Sequence, residues 1–507
     1  MFINDLRNEL NKEKSITENG AIGYATSGKK LLDFNFRLSS YRNMSEKEIF
    51  RDFMEAYTED KIMAMRMLFY SRDIRGGQGE RRLFRIIIKE LAKIEPKTVE
   101  KIAHLISEFG RWDDLFCLFG TPVEDVVYGI IIAQLANDVV AEYRGKPISL
   151  LAKWMPSANA SSSETKALAR KFISRMGVTE KQYRKMLSSF RAHLNIVECK
   201  MSANEWSEIK YDQVPSKANL IYNTAFYNHD EERRKEFLTN VEKGKEKIHS
   251  GTNFPHDIVS KYGLSEYLNY KRIRDKTQLD RTLEAMWKAL PNYGDGMNNT
   301  LVVADGSGSM YSKIGNTSIS ALAVANSLAI YFAERCTGEF KNNYITFSEK
   351  PQLVNLGEGT LLSKLVIASQ HNEVANTNIQ AVFDLILKTA ISKKLYQEDL
   401  PSTILIISDM EFDSAVGYRN NFNKTLFEGL ASVYAQFGYK IPKLVFWNVM
   451  SRTLTIPAQE NESGVILLSG FSPSAINMAL SNEVDPYKAL VKFLNDKRYD
   501  VVEEALQ

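Results

Sequence analysis

The spacing of apolar residues changes once along this chain, near residue 297, and that change limits the fold more than any other feature. Before it, apolar residues recur at three- and four-residue steps. Ile49, Phe53 and Tyr57 do so, then Ile62, Met65, Leu68 and Phe69, then Ile102, Leu105, Ile106 and Phe109. This is the period of helices that bury one face. VEDVVYGIIIAQLANDVVAEYRG, SETKALARKFISRM and TEKQYRKMLSSFRAHLNIVE continue it, and few strands are expected. After residue 297, short apolar runs alternate with helical stretches. Leu301–Ala304, NNYITFS, STILIIS, PKLVFWNV and GVILLSG read as strands, with PQLVNL an antiparallel neighbour of the second. Strands separated by helices predict a mostly parallel sheet covered on both faces, with its site at the carboxyl ends of the strands.

The expected fold is therefore multidomain. An irregular arm (1–29) precedes an all-α helical-repeat domain (30–297), HEAT-like and curved or closed into a ring, and an α/β domain follows (298–507). The length of 507 residues exceeds what one core usually serves. No run of eighteen consecutive apolar residues occurs, and the N-terminus lacks the apolar core of a signal peptide. The three cysteines lie too far apart for a disulfide framework or a Cys-rich zinc site. These features lead to the expectation of a cytoplasmic protein without a membrane partner. Charge is uneven: residues 1–297 hold 48 Lys and Arg against 41 Asp and Glu, although the whole chain is only +3. Residues 151–200 hold ten basic and three acidic residues. A basic helical part suits an anionic partner, although scattered lysines also simply solvate helix faces.

The sharpest motif is LVVADGSGSM, where a buried strand ends in Asp305 and hydroxyls follow at Ser307 and Ser309. Hard divalent cations take oxygen ligands, at about 2.0–2.1 Å for magnesium. Alternate serines on an extended turn can point the same way, and Gly306 and Gly308 keep the turn uncrowded. Thr377, just before a helix, and Asp409, at the end of STILIIS, would complete the set on the same sheet edge. Mg²⁺ is the expected ion, with Mn²⁺ or Ca²⁺ as alternatives.

This constellation resembles the metal-ion-dependent adhesion site of the von Willebrand factor A domain. The likeness rests on Asp305, Ser307 and Ser309 in the first loop, Thr377 in the second and Asp409 in the third. It implies that the hydroxyls reach the metal, that the aspartates act directly or through water, and that a partner carboxylate takes an open position. SDMEFD departs from the commoner Ser-Asp-Gly, so Glu411 or Asp413 is expected to alter the charge of the open face. A helical domain before such an A domain resembles the Ro ribonucleoproteins, in which a TROVE ring binds RNA. FYSRDIRGGQGERRLF, LISEFGRWDDLF, LAKWMPS, YRKMLSSFRAHLNIVECKMSANEW and VPSKANLIYNTAF further resemble a Ro-like family of unknown function found in bacteria, viruses and plants. RNA is thus an implied partner.

Three groups of cations are candidates for RNA contact. Arg72, Arg75, Arg81 and Arg82 surround a glycine-rich turn, which otherwise reads as a tight helix–helix turn with solvated arginines. Lys181, Arg184, Lys185, Arg191 and His193 lie near Tyr183 and Phe190, aromatics that either stack on bases or fill the core. Lys153 beside Trp154 is the third. No histidine pair has metal spacing, and Ser307 is not in a Gly-x-Ser-x-Gly elbow, so no enzyme activity is expected. Two readings follow. One is an RNA-binding scaffold with a magnesium site. The other is a protein-interaction module whose metal recruits an acidic partner.

Overall fold

The computed structural model describes residues 14–263, 277–347, 349–372, 377–414, 426–481, 483 and 485–507. By its contacts the chain forms two compact units, and their boundary is not the single cut at residue 297. The first gathers the described residues of Met1–Ser71, Gly76–Gln78 and Ser250–Tyr499. The second gathers Arg72–Arg75, Gly79–His249 and Asp500–Gln507.

The first unit is built on a six-stranded sheet of β3 (Thr300–Asp305), β4 (Asn343–Phe347), β5 (Gln352–Asn355), β6 (Thr403–Ser408), β7 (Lys443–Asn448) and β8 (Val465–Ser469). Its order is β5-β4-β3-β6-β7-β8. All neighbours are parallel except β4 and β5. Every residue of β3 is buried, as expected of a central strand covered on both faces. The helix Ala321–Ala333, buried along its whole length, packs against β3. Each apolar run read from the sequence becomes one of these strands; five are buried along most of their length, whereas the edge strand β5 is largely exposed.

The segment expected to be an irregular arm is partly ordered into this unit. β1 (Lys14–Ile16) and β2 (Ile22–Tyr24) form a short antiparallel hairpin. Tyr24 exchanges backbone hydrogen bonds with Ile456, at 2.8 Å each way, and Ala21 N donates to Phe412 O. Several helices assigned to the helical domain also belong here, among them Lys30–Phe36, Glu46–Glu59, Pro255–Val259 and Arg281–Lys288. Lys30–Phe36 packs on β8, where Asn35 Nδ2 donates to Leu467 O and Asn448 Nδ2 to Phe36 O. Glu46–Glu59 begins with a capping box between Ser45 and Glu48. An amphipathic helix signals that one face is buried, but its sequence does not say against what.

The second unit is helical, and among its described residues no strand occurs. Its longer helices are Arg81–Ile94, Glu124–Tyr143, Ser163–Met176, Glu180–His193 and Asn223–Glu242. The C-terminal helix Asp500–Leu506 packs on Pro96–Ile102, and Lys101 Nζ donates to Leu506 O. Ser162 and Thr179 cap the helices that follow them, and Gly177 closes one in a left-handed conformation. Glu124–Tyr143 is, among the described residues, the one helix long and apolar enough to cross a membrane by length and composition. It carries a buried carboxylate, Asp138, which accepts from Gln134 Nε2, Ser149 N and Ser149 Oγ.

Candidate metal centre and basic surface

β3 and β6 are adjacent and parallel, so Asp305 and Asp409 emerge at the same sheet edge. The two loops are tied directly. Ser408 Oγ donates to Asp305 Oδ2 at 2.6 Å, and Ser307 N donates to Asp305 Oδ1 at 2.9 Å. Ser307 Oγ and Ser309 Oγ lie 3.1 Å apart, so the alternate hydroxyls do converge. Gly306 is required for a reason the sequence did not show: a Cβ there would lie 2.8 Å from Thr346 Oγ1 on β4.

Asp305 and Asp409 are fully buried, and Ser307 and Thr377 nearly so. Burial raises the Asp305 carboxyl above its ordinary range, although Ser408 and Ser307 pull against this. Burial and the neighbouring Asp305 push Asp409 up to about 7, against the pull of Ser309 and Arg452. Asp409 Oδ2 is buried and accepts no hydrogen bond; Arg452 Nη1 forms an ion pair with it at 3.4 Å. A buried carboxylate oxygen left this way is costly unless a cation completes it. The second loop joins the third: Asp413 N donates to Thr377 O at 3.0 Å. Asn19 Nδ2 donates to both Thr377 Oγ1 and Glu411 O.

Hydroxyls at Ser307, Ser309 and Thr377, with two carboxylates behind them, are the oxygen-only donor set a hard divalent cation takes. The orphaned Asp409 Oδ2 fits such an ion. Among the described residues no group of three or more His, Cys, Asp or Glu stands together as a metal site. A centre here therefore depends on the hydroxyls.

Glu411 does not face the open side. It is completely buried and accepts from Glu18 N, Arg452 N, Thr453 N, Thr453 Oγ1 and Ser451 Oγ. The departure from glycine at the preceding position is absorbed by Met410, which holds φ at 65° and buries its side chain. Non-glycine residues reach that region at a cost of about 1 kcal/mol. No local sequence pattern links Glu18, Asn19 and Arg452 to the motif.

In the helical unit the predicted cations divide. Arg72 is buried and donates from Nε and Nη2 to Asp114 Oδ2 at 2.8 and 2.5 Å, so it is unavailable to a ligand. Arg191 is also committed to the fold: its guanidinium donates to Ala152 O, Ser157 Oγ and Met155 O. Lys153 is half-buried and pairs with Glu198 at 3.5 Å. His193 is half-buried. Arg75 is exposed but donates to Glu108 O. Arg81, Arg82, Lys181, Arg184 and Lys185 are exposed. Tyr183 and Phe190 are core residues, and Tyr183 Oη donates to Pro156 O. Exposed Arg170 and Lys171, on the neighbouring helix, extend the basic stretch. Their sequence signal is the excess of cations over residues 151–200.

Two family models match, each described as a domain of unknown function: DUF2828 over residues 17–129 and 132–292, and DUF7788 over 299–504. The uncharacterized protein L728 of Acanthamoeba polyphaga mimivirus is 28% identical over 539 aligned positions, spanning 96% of this chain and 90% of that protein. The crystal structure of the Deinococcus radiodurans RO (RSR) protein is similar at 14% identity and a TM-score of 0.45, covering 90% of this chain and 100% of that one.

Proposed function

The chain belongs to the DUF2828 family, and we propose that it is a non-catalytic binding scaffold that holds a divalent cation in its sheet unit and RNA on its helical unit. The observation that carries the reading is the buried Asp409 Oδ2 without a hydrogen bond, beside Asp305 and the paired hydroxyls of Ser307 and Ser309. Ser307, Ser309 and Thr377 would hold the ion, with Asp305 and Asp409 supplying its countercharge. When bound, Mg²⁺ offers a Lewis-acidic position that a carboxylate from a partner can complete. Asn19 fixes Thr377, and Ser408 fixes Asp305, so the donors are oriented before an ion arrives.

RNA binding is supported by the exposed Lys181, Arg184 and Lys185 on one helix and Arg170 and Lys171 on its neighbour. The architectural resemblance to Ro ribonucleoproteins points the same way. Lys181→Ala, Arg184→Ala and Lys185→Ala together should weaken binding of a single-stranded RNA and lower the log–log salt slope by about 2. Unchanged affinity and slope would reject this surface. Sequencing nucleic acid that co-purifies with the wild-type protein would identify the ligand.

One observation favours a protein partner instead. Val139, Val140 and Tyr143 are exposed on the helix Glu124–Tyr143, and Leu150 follows close by. If Mg²⁺-dependent retention of a protein survives nuclease treatment and is lost in Asp409→Ala, that reading replaces RNA.

A further inference from the structure

Arg452 and Glu18 form the rim of the candidate centre, and both hang from one buried anchor. Arg452 N donates to Glu411 Oε1 at 2.8 Å, and Glu18 N donates to Glu411 Oε2 at 2.9 Å. Their side chains reach outward, Arg452 to 31% exposure and Glu18 to 58%. The guanidinium stands between two carboxylates. Toward Glu18 it is engaged as a fork, with Nε donating to Oε2 at 2.8 Å and Nη2 paired with the same oxygen. Toward Asp409 it offers only Nη1, at 3.4 Å from Oδ2 and without a hydrogen bond.

We infer that Arg452 is a resident cation of this centre, which a divalent ion must displace from Asp409, and that Glu18 is the carboxylate that retains it when it moves. The inference rests on the metal reading above. A guanidinium carries one charge, always present, and cannot share a fully buried carboxylate with a divalent ion at low cost. Its loose arm lies on the metal side and its tight arm on the Glu18 side. Displacement therefore breaks an ion pair without a hydrogen bond and leaves the fork intact. Arg452 thus sets the affinity of the centre, and Glu18 tunes how firmly Arg452 competes. No sequence motif contains either residue; Glu18 and Arg452 are brought together only by the hairpin docking beside the loop after β7.

The two residues then have opposite effects. Mn²⁺ titrated at constant ionic strength into wild-type protein, Arg452→Gln, Glu18→Gln and Asp409→Asn, followed by electron paramagnetic resonance of the free ion, reads affinity directly. Arg452→Gln should bind about five- to tenfold more tightly, the scale of one partly exposed ion pair next to a buried charge. Glu18→Gln should bind more weakly, because Arg452 then has only Asp409. Asp409→Asn should not bind. Binding by Arg452→Gln where the wild type shows none also supports the inference. Unchanged or weaker binding by Arg452→Gln, with binding by the wild type, overturns it and leaves the metal reading standing. Absence of binding in every folded form overturns the metal reading and the inference with it. If Arg452→Gln does not fold, Glu18→Gln decides: weaker binding supports the inference, and equal or tighter binding overturns it.

Discussion

Ser408 Oγ donates to Asp305 Oδ2 at 2.6 Å, so the last residue of β6 holds the carboxylate that ends β3. This contact fixes the spacing of the two strand ends, and with it the distance between two buried acids that repel one another.

That repulsion gives the first prediction. Asp305 and Asp409 are fully buried in one site, and a divalent ion bound there would relieve both. Mg²⁺ or Mn²⁺ at a hundred times its dissociation constant should stabilise the protein by about 2.7 kcal/mol. Thermal melts with and without the ion measure the gain. Asp305→Ala with Asp409→Ala should abolish both the gain and stoichiometric uptake while far-ultraviolet circular dichroism is retained. Full uptake by the double variant would remove the site.

Glu411 should matter more for stability than for charge at the site. Its carboxylate accepts three backbone N–H groups, from residues 18, 452 and 453. Glu411→Ala leaves these donors without an acceptor and should cost roughly 3 kcal/mol in urea unfolding. Amide exchange over residues 17–24 should quicken in parallel. A loss below about 0.5 kcal/mol would contradict this role.

In the helical unit, an ion pair packs closely against Gly110. A Cβ at this position would lie 2.4 Å from Asp114 Oδ2 and 2.9 Å from Arg72 Nε. Gly110→Ala should therefore destabilise by about 2–3 kcal/mol, by forcing apart a buried pair. Arg72→Ala should cost about 3–5 kcal/mol, because it leaves Asp114 buried with less compensation. The double variant should lose less than the sum, since both changes act on one contact. Additivity in equilibrium unfolding would show that the two are not coupled.

The cysteines give a chemical test of burial. Cys336 is buried, and burial pushes its thiol up to about 12. Cys199 is exposed. Because the thiolate is the nucleophile, iodoacetamide at pH 8 should alkylate Cys199 in the native protein and Cys336 only after unfolding. Peptide mass spectrometry over time reads both. Comparable rates at the two positions would show that the core around Cys336 opens readily.

Taken alone, the sequence determined the strands of the sheet and the residues at their carboxyl ends. Asp305, Ser307, Ser309 and Asp409 were legible because each lies within a few residues of a buried strand, and parallel neighbours must end on one edge. Only the tertiary structure decided which cations are exposed. Lys185 and Arg191 share a helix and a charge, yet Lys185 is exposed while Arg191 bonds two backbone carbonyls and a serine across the unit. It also decided that Glu411 turns inward and that residues 14–71 belong to the sheet unit, so that Glu18 meets a carboxylate 393 residues away. Periodicity along the chain fixes which face of an element is buried. The partner of that face, and whether a charged group there meets water or an acceptor, depends on elements distant in sequence, and no local pattern encodes it.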